Sequence, residues 1–213
     1  EEVRENHWLQ AGPHSAQECN GFAPKPAMLD HYPRQPQQIS NMHDVRKMFD
    51  GYDTGVLVAD EYFGRLLNDL EDLGVGEEVA VMVSSDHGET LGELNVYGDH
   101  QTADQLTTRI PMILKWPHAD HLNGKSFDAM HYQIDLMATL VELLGVRVPG
   151  SWDGESFAES LNEGEDLGRG SLTLSQGAWT CQRSVRWGDY ILIKTLHDGF
   201  HLYDDLMLFN VVN

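Results

Sequence analysis

At 213 residues the chain is long enough for one medium domain or two small ones, and its 41% apolar content suffices for a packed core. Its net charge of −20, from 34 acidic against 14 basic residues, argues against nucleic acid as a partner, because phosphate contacts need Lys and Arg. No stretch approaches the roughly 18 consecutive apolar residues of a membrane span, and no basic, apolar leader opens the chain.

The first residue is Glu1 rather than Met, so further residues are expected ahead of it, and the compartment, cytoplasmic or exported, stays open. Strong acidity with few lysines is a composition suited to high salt, where ions screen self-repulsion; it predicts stability that rises with KCl. The two cysteines, Cys19 and Cys181, have no Cys-x-x-Cys spacing and indicate neither a zinc site nor a disulfide framework.

Residues 1–40 hold most of the prolines and read as an irregular, surface-hugging segment. Ser40-Asn41 then open a long helix to Leu73, with Met42, Val45, Phe49, Tyr52, Val56, Phe63, Leu66, Leu67 and Leu70 near helical spacing and Gly74 as its stop. The apolar run Val79–Val83 suits a parallel strand covered on both faces. A short helix is expected in TADQLTTR, a strand in Ile110–Trp116, and a helix over Tyr132–Leu144. In that helix Ile134, Met137, Leu140, Val141 and Leu144 form the expected buried stripe. Beyond Pro149 the texture changes to short β-like runs (SLTLSQG, SVRW, DYILIKT, HLYDD) separated by Gly-Asp and Asp-Gly turns. These predict a small antiparallel subdomain over residues 150–213, after a first domain over residues 1–149.

The chemistry concentrates in SSDHGETLGELNVYGDH, Ser84 to His100. Asp86 and His87 follow an apolar strand, at the carboxyl end where α/β sheets place ligands. An adjacent carboxylate and imidazole can ligate a divalent cation, and Gly88 permits a tight turn or close backbone approach. His100 returns towards the same place, with Glu89 and Glu93 as extra acids nearby. Taken alone, Asp-His-Gly is also what a solvated polar loop after a strand looks like.

The wider order of segments is more specific. DGYDTGVLVADEYFGRLLNDLEDLGV, VAVMVSSDHGETLGE, YGDH, TRIPMILKWP, YQIDLMATLVELLGV, VPGSWDGESFAESL, VRWGDYILIKT and HLYDD run in a register that resembles the sulfatase family of the alkaline-phosphatase superfamily, from about Asn41 to Asn213. The resemblance implies an α/β fold: a mixed or largely parallel sheet flanked by helices, with a small C-terminal antiparallel β subdomain. It implies a hydrolase acting on a small-molecule or carbohydrate sulfate ester. Asp86 and His87 match half of the family's metal site, the rest coming from acidic residues of an early loop. Calcium is the first expectation. Imidazole is an unusual ligand for so hard an ion, which brings manganese or zinc in as alternatives. His100 matches the cationic residue that contacts the sulfate oxygens and stabilises the departing group. His14 is a weaker candidate, with a structural role the better reading.

The family's nucleophile is a formylglycine made from Cys or Ser in a C-x-P-S-R type sequence. Cys19-Asn20-Gly21-Phe22 does not fit. Cys181-Gln182-Arg183-Ser184 lacks the proline and is expected in a β-strand of the small subdomain. The early acidic ligands are absent too. The chain thus resembles the C-terminal half of a sulfatase, is expected to be inactive alone, and would need the missing N-terminal half or a partner chain to cover its open side. The alternatives are a phosphodiesterase or phosphonate monoester hydrolase of the same superfamily, a non-catalytic binding remnant, and a plain structural domain with an inert loop.

Overall fold

The computed structural model describes residue 39 and residues 41–177, 180–199 and 203–212. The expectations for residues 1–38, including His14 and Cys19, lie outside these. Two compact units divide the chain. One comprises Glu1–Thr102 and Leu106–Leu114, the other Ala103–Gln105 and Lys115–Asn213.

The first unit is built on helix α1, Met42–Asp72. Asn41 is its N-cap: the side-chain oxygen accepts the N–H groups of His43 at 2.9 Å and Asp44 at 3.1 Å, filling two donors that the helix itself cannot. At the far end Gly74 takes a positive φ of 71°. Its N–H donates to the Glu71 carbonyl and that of Val75 to the Leu70 carbonyl, the paired bonds of a Schellman stop. Gly51 and Gly55 lie within the continuous helix. Ile39, Val45 and Tyr97 form a small buried cluster with Met42, Met48 and Phe49 against it, so the start of α1 packs beside the hairpin described next. Further along, the expected apolar stripe is covered only in part: Phe63, Leu67 and Leu70 are half-buried, but Tyr52, Val56 and Leu66 are exposed.

Strand β1, Val81–Ser84, pairs with β4, Met112–Lys115. β1 is not sealed on both faces, as its apolar run suggested, but half-buried, and in β4 Met112 and Ile113 are exposed. Between them lies a tight antiparallel hairpin of β2, Thr90–Leu91, and β3, Tyr97–Asp99, with Thr90 opposite Asp99. Its reversal uses positive φ at Gly92 and Leu94. The expected short helix is α2, Gln105–Thr108.

The second unit contains α3, Gln133–Leu143, α4, Ala158–Glu163, and an antiparallel sheet ordered β5 (Ser171–Gln176), β6 (Cys181–Trp187), β7 (Tyr190–His197), β8 (Leu206–Asn210). In β7, Ile191, Ile193 and Thr195 are buried while Tyr190, Lys194 and Leu196 face water, the period of two expected of a half-buried strand. Cys181 to Ser184 is strand, as expected, and Cys181 is a free thiol. Two expectations need correction. Of HLYDD, His201 and Leu202 lie outside the described residues and Tyr203–Asp205 are not strand; the strand that pairs with β7 is Leu206–Asn210, in a ladder from Tyr190↔Asn210 to Lys194↔Leu206. The stripe of α3 is also displaced: Ile134, Met137 and Leu144 are exposed, and Asp135, Ala138 and Thr139 are buried instead. Asp135 Oδ1 accepts the Glu155 N–H at 2.8 Å and Thr139 Oγ1 accepts that of Phe157 at 3.0 Å. Polar residues face inward there because the connection to α4 supplies their partners. Among the described residues no helix is long and apolar enough to cross a membrane.

Candidate metal centre and active site

The loop after β1 is fixed by its backbone. Ser84 Oγ donates to the Pro111 carbonyl at 3.0 Å, Ser85 Oγ to the His87 carbonyl at 3.0 Å, and the Gly88 N–H to the Thr107 carbonyl at 2.8 Å. A Cβ on Gly88 would fall inside contact distance of the Leu106 carbonyl oxygen, so only glycine lets the two backbones meet.

Asp86 points outward, its side chain 89% exposed. Its Oδ1 accepts the His87 N–H at 3.1 Å and its Oδ2 lies 3.9 Å from His87 Nε2. His87 Nδ1 is 2.8 Å from the Gly88 carbonyl oxygen. A carbonyl only accepts, so Nδ1 carries a proton, and in the neutral ring the lone pair is on Nε2. Two ligands about 2.0–2.5 Å from one ion are typically some 3–4 Å apart; Asp86 and His87 therefore fit a shared divalent cation.

The hairpin brings His100 back. Because Thr90 pairs with Asp99, the residues just outside the ladder, Glu89 and His100, come side by side. His100 Nδ1 lies 3.5 Å from Glu89 Oε2 and 3.9 Å from Asp99 Oδ1. Its ring stacks on that of His87, centroids 3.7 Å apart and planes inclined by 24°. Asp99 is itself held, its Oδ1 accepting the His100 N–H at 2.7 Å and its Oδ2 the Gln101 amide at 2.9 Å. Burial raises the Glu89 carboxyl above its usual range, against the opposing pull of His100. One ligand atom each from His87, Glu89 and His100 lie within 4.8 Å of one another. The structure thus brings His87 and His100 together, keeps Asp86 beside His87, and adds Glu89. The signal for Glu89 was the hairpin register, which spacing along the chain does not display.

The family model for Sulfatase matches residues 6–146. The chain belongs to the Sulfatase family. It is 26% identical over 169 residues to an ulvan-active sulfatase of Formosa agariphila, covering 76% of this chain and 33% of that protein. It is 34% identical over 111 residues to an N-acetylglucosamine-6-O-sulfatase of Bacteroides thetaiotaomicron, covering 52% of this chain and 20% of that protein. The chain therefore spans between a fifth and a third of the length of these curated relatives. A phosphonate monoester hydrolase from Silicibacter pomeroyi superposes with a TM-score of 0.63 at 23% identity, covering 84% of this chain and 37% of that one. The fold is the one these enzymes share, as the sequence implied.

Proposed function

We propose that this chain is the metal-loop portion of a sulfuric ester hydrolase acting on sulfated carbohydrate or a small sulfate ester. The observation that carries the reading is the placement of Asp86 and His87 at the end of β1, with His100 returned beside them by the β2–β3 hairpin, in a member of the Sulfatase family. Asp86 and His87 hold a divalent ion, calcium by the family's habit. When bound, the ion polarises the ester oxygens as a Lewis acid. His87 presents Nε2 because Gly88 holds Nδ1–H. His100, flanked by Glu89 and Asp99, stabilises the charge developing on the departing oxygen by hydrogen bonding.

The formylglycine nucleophile and the remaining acidic ligands come, on this proposal, from sequence outside the 213 residues. Residues 1–149 complete the catalytic core and residues 150–213 form the accessory sheet. The exposed apolar positions of α1 and β4 favour such a covering segment. Alone, the chain does not turn over sulfate esters.

The test is aryl sulfate hydrolysis by the enzyme that carries this chain. Asp86→Asn, His87→Ala and His100→Ala are each expected to lower kcat/KM by at least about a hundredfold. Near-wild-type rates in all three, or multiple turnovers by the 213-residue chain, would sink the reading. The likeness to a phosphonate monoester hydrolase supports a second reading, and faster hydrolysis of an aryl phosphonate monoester than of an aryl sulfate would favour it.

A further inference from the structure

The sulfatase reading uses Asp86, His87 and His100 but has no task for Glu89. The last torsion of a histidine side chain is roughly two-fold, so its ring has two settings half a turn apart that share one plane. The half turn swaps Nδ1 with Cδ2 and Nε2 with Cε1. The stack of His100 on His87, centroids 3.7 Å apart and planes inclined by 24°, fixes the plane and leaves both settings open. Carboxylates at one edge of the ring break the tie. Nδ1 lies 3.5 Å from Glu89 Oε2 and 3.9 Å from Asp99 Oδ1, and the setting that puts a carbon there gives both contacts up. Asp99 has other work: its Oδ1 accepts the His100 backbone N–H at 2.7 Å and its Oδ2 the Gln101 amide at 2.9 Å. Glu89 is the closer acceptor, its side chain 20% exposed against 47% for His100, and the Thr90↔Asp99 register holds it there. Contacts of this kind are commonly loose before substrate binds and tighten in the complex.

We propose that Glu89 is the positioning residue of His100: it accepts the Nδ1 proton and so leaves Nε2 as the nitrogen that serves the departing oxygen. The inference rests on the preceding reading for that oxygen and for the role of His100 there. Glu89 itself touches no reacting atom. When His100 donates from Nε2, the ring carries a proton on each nitrogen, and the one on Nδ1 needs an acceptor fixed in place. A carboxylate behind an imidazole does the same in serine hydrolases, where it selects the tautomer and the orientation of the ring.

Orientation is read without activity from the ring 15N shifts of His100 in the 213-residue chain, above a pH of about 8, where an ordinary histidine is neutral. The single ring proton should sit on Nδ1 in the wild type and in Glu89→Gln, whose amide oxygen still accepts, and should move to Nε2 in Glu89→Leu. In the enzyme that carries this chain, Glu89→Leu should lower kcat with little change in KM. The loss should be at least about tenfold for an aryl sulfate of a weakly acidic phenol and less than about threefold for a nitrophenyl sulfate, because a proton donor matters most to the poorest leaving group. Glu89→Gln should recover most of the loss, and the metal content of both variants should match the wild type, which a general disturbance of the loop would not give. Circular dichroism checks the fold; should Glu89→Leu fail to fold, Glu89→Asp, which withdraws the acceptor by one methylene, carries the same tests. An Nδ1 proton that stays in place in Glu89→Leu overturns the positioning. A shifted proton with no loss, or with equal loss on every leaving group, in an active sulfatase overturns the part Glu89 plays in the reaction. A shifted proton in an enzyme with no sulfatase activity overturns the sulfatase reading and leaves the pairing of Glu89 with His100 standing.

Discussion

Arg169 grips both oxygens of Asp135, with Nη2 2.8 Å from Oδ1 and Nε 3.0 Å from Oδ2. The carboxylate is fully buried in α3 and also accepts the backbone N–H groups of Tyr132 and Glu155 at 2.8 Å each. Arg169 reaches on to Glu155 at 3.1 Å and lies over the Tyr132 ring at 4.9 Å. One side chain thus ties the start of α3, the connection to α4 and the approach to β5. Asp135→Ala leaves a half-covered guanidinium and two N–H groups without their acceptor, and should cost about 3 kcal/mol, the scale for breaking a buried pair. Urea unfolding checks it. A loss below about 1 kcal/mol would place the pair among surface bridges.

The same cluster sets an acid limit. Burial by itself raises the Asp135 carboxyl, but hydrogen bonds from Arg169 and the Glu155 and Tyr132 N–H groups outweigh it and hold the group below its usual range. A depressed carboxyl stabilises the fold above its unfolded value of about 3.9, and that stability is lost as pH falls through the folded value. Burial lowers His131, with Arg169 adding to it against Asp135. The unfolded chain then binds the His131 proton first, so stability declines as pH drops below about 6.5. Melting temperatures should fall in two stages, shallow below about 6.5 and steep below about 4. His131→Phe should remove the first stage alone.

Two glycines should respond in opposite directions. Gly88→Ala forces a methyl against the Leu106 carbonyl and should lower stability by about 1–3 kcal/mol, the cost of overpacking. Gly51 is helical with nothing within 4 Å of an added Cβ, so Gly51→Ala should gain up to about 1 kcal/mol. Paired thermal melts test both, and a stabilising Gly88→Ala would show that the loop has slack.

Gln182 is wholly buried in β6, with Oε1 accepting the Ala103 N–H at 2.9 Å and Nε2 donating to Thr195 Oγ1 at 3.2 Å. Gln182→Leu keeps the volume and removes both bonds. It should cost about 2 kcal/mol, mostly from the stranded Ala103 N–H. A neutral effect in denaturant titration would mean that water replaces the amide.

Punctuation made α1 readable in the sequence: Asn41 before the periodic run and Gly74 after it are caps in fact. The antiparallel sheet was readable from the short β-like runs beyond Pro149 and the Gly-Asp and Asp-Gly turns between them. The stripe of α3 was not, because the acceptors that make Asp135 and Thr139 interior residues answer to donors from Glu155 and Phe157, well along the chain. In the candidate site, Asp86, His87 and His100 were visible as residue types after a strand. Glu89 was visible as an extra acid nearby, but its place beside His100 was not, because that follows from one hairpin register.

The uncovered face of α1 has a practical corollary. Tyr52, Val56, Tyr62 and Leu66 are exposed along one helix, and surfaces of this kind adhere when molecules meet. Mutual repulsion from the acid surplus keeps copies apart at neutral pH. That repulsion vanishes near the isoelectric point of about 4.7, while the Asp135 clamp still holds. On acidification the chain should therefore turn cloudy while its sheet remains intact, with light scattering rising ahead of the loss of ellipticity.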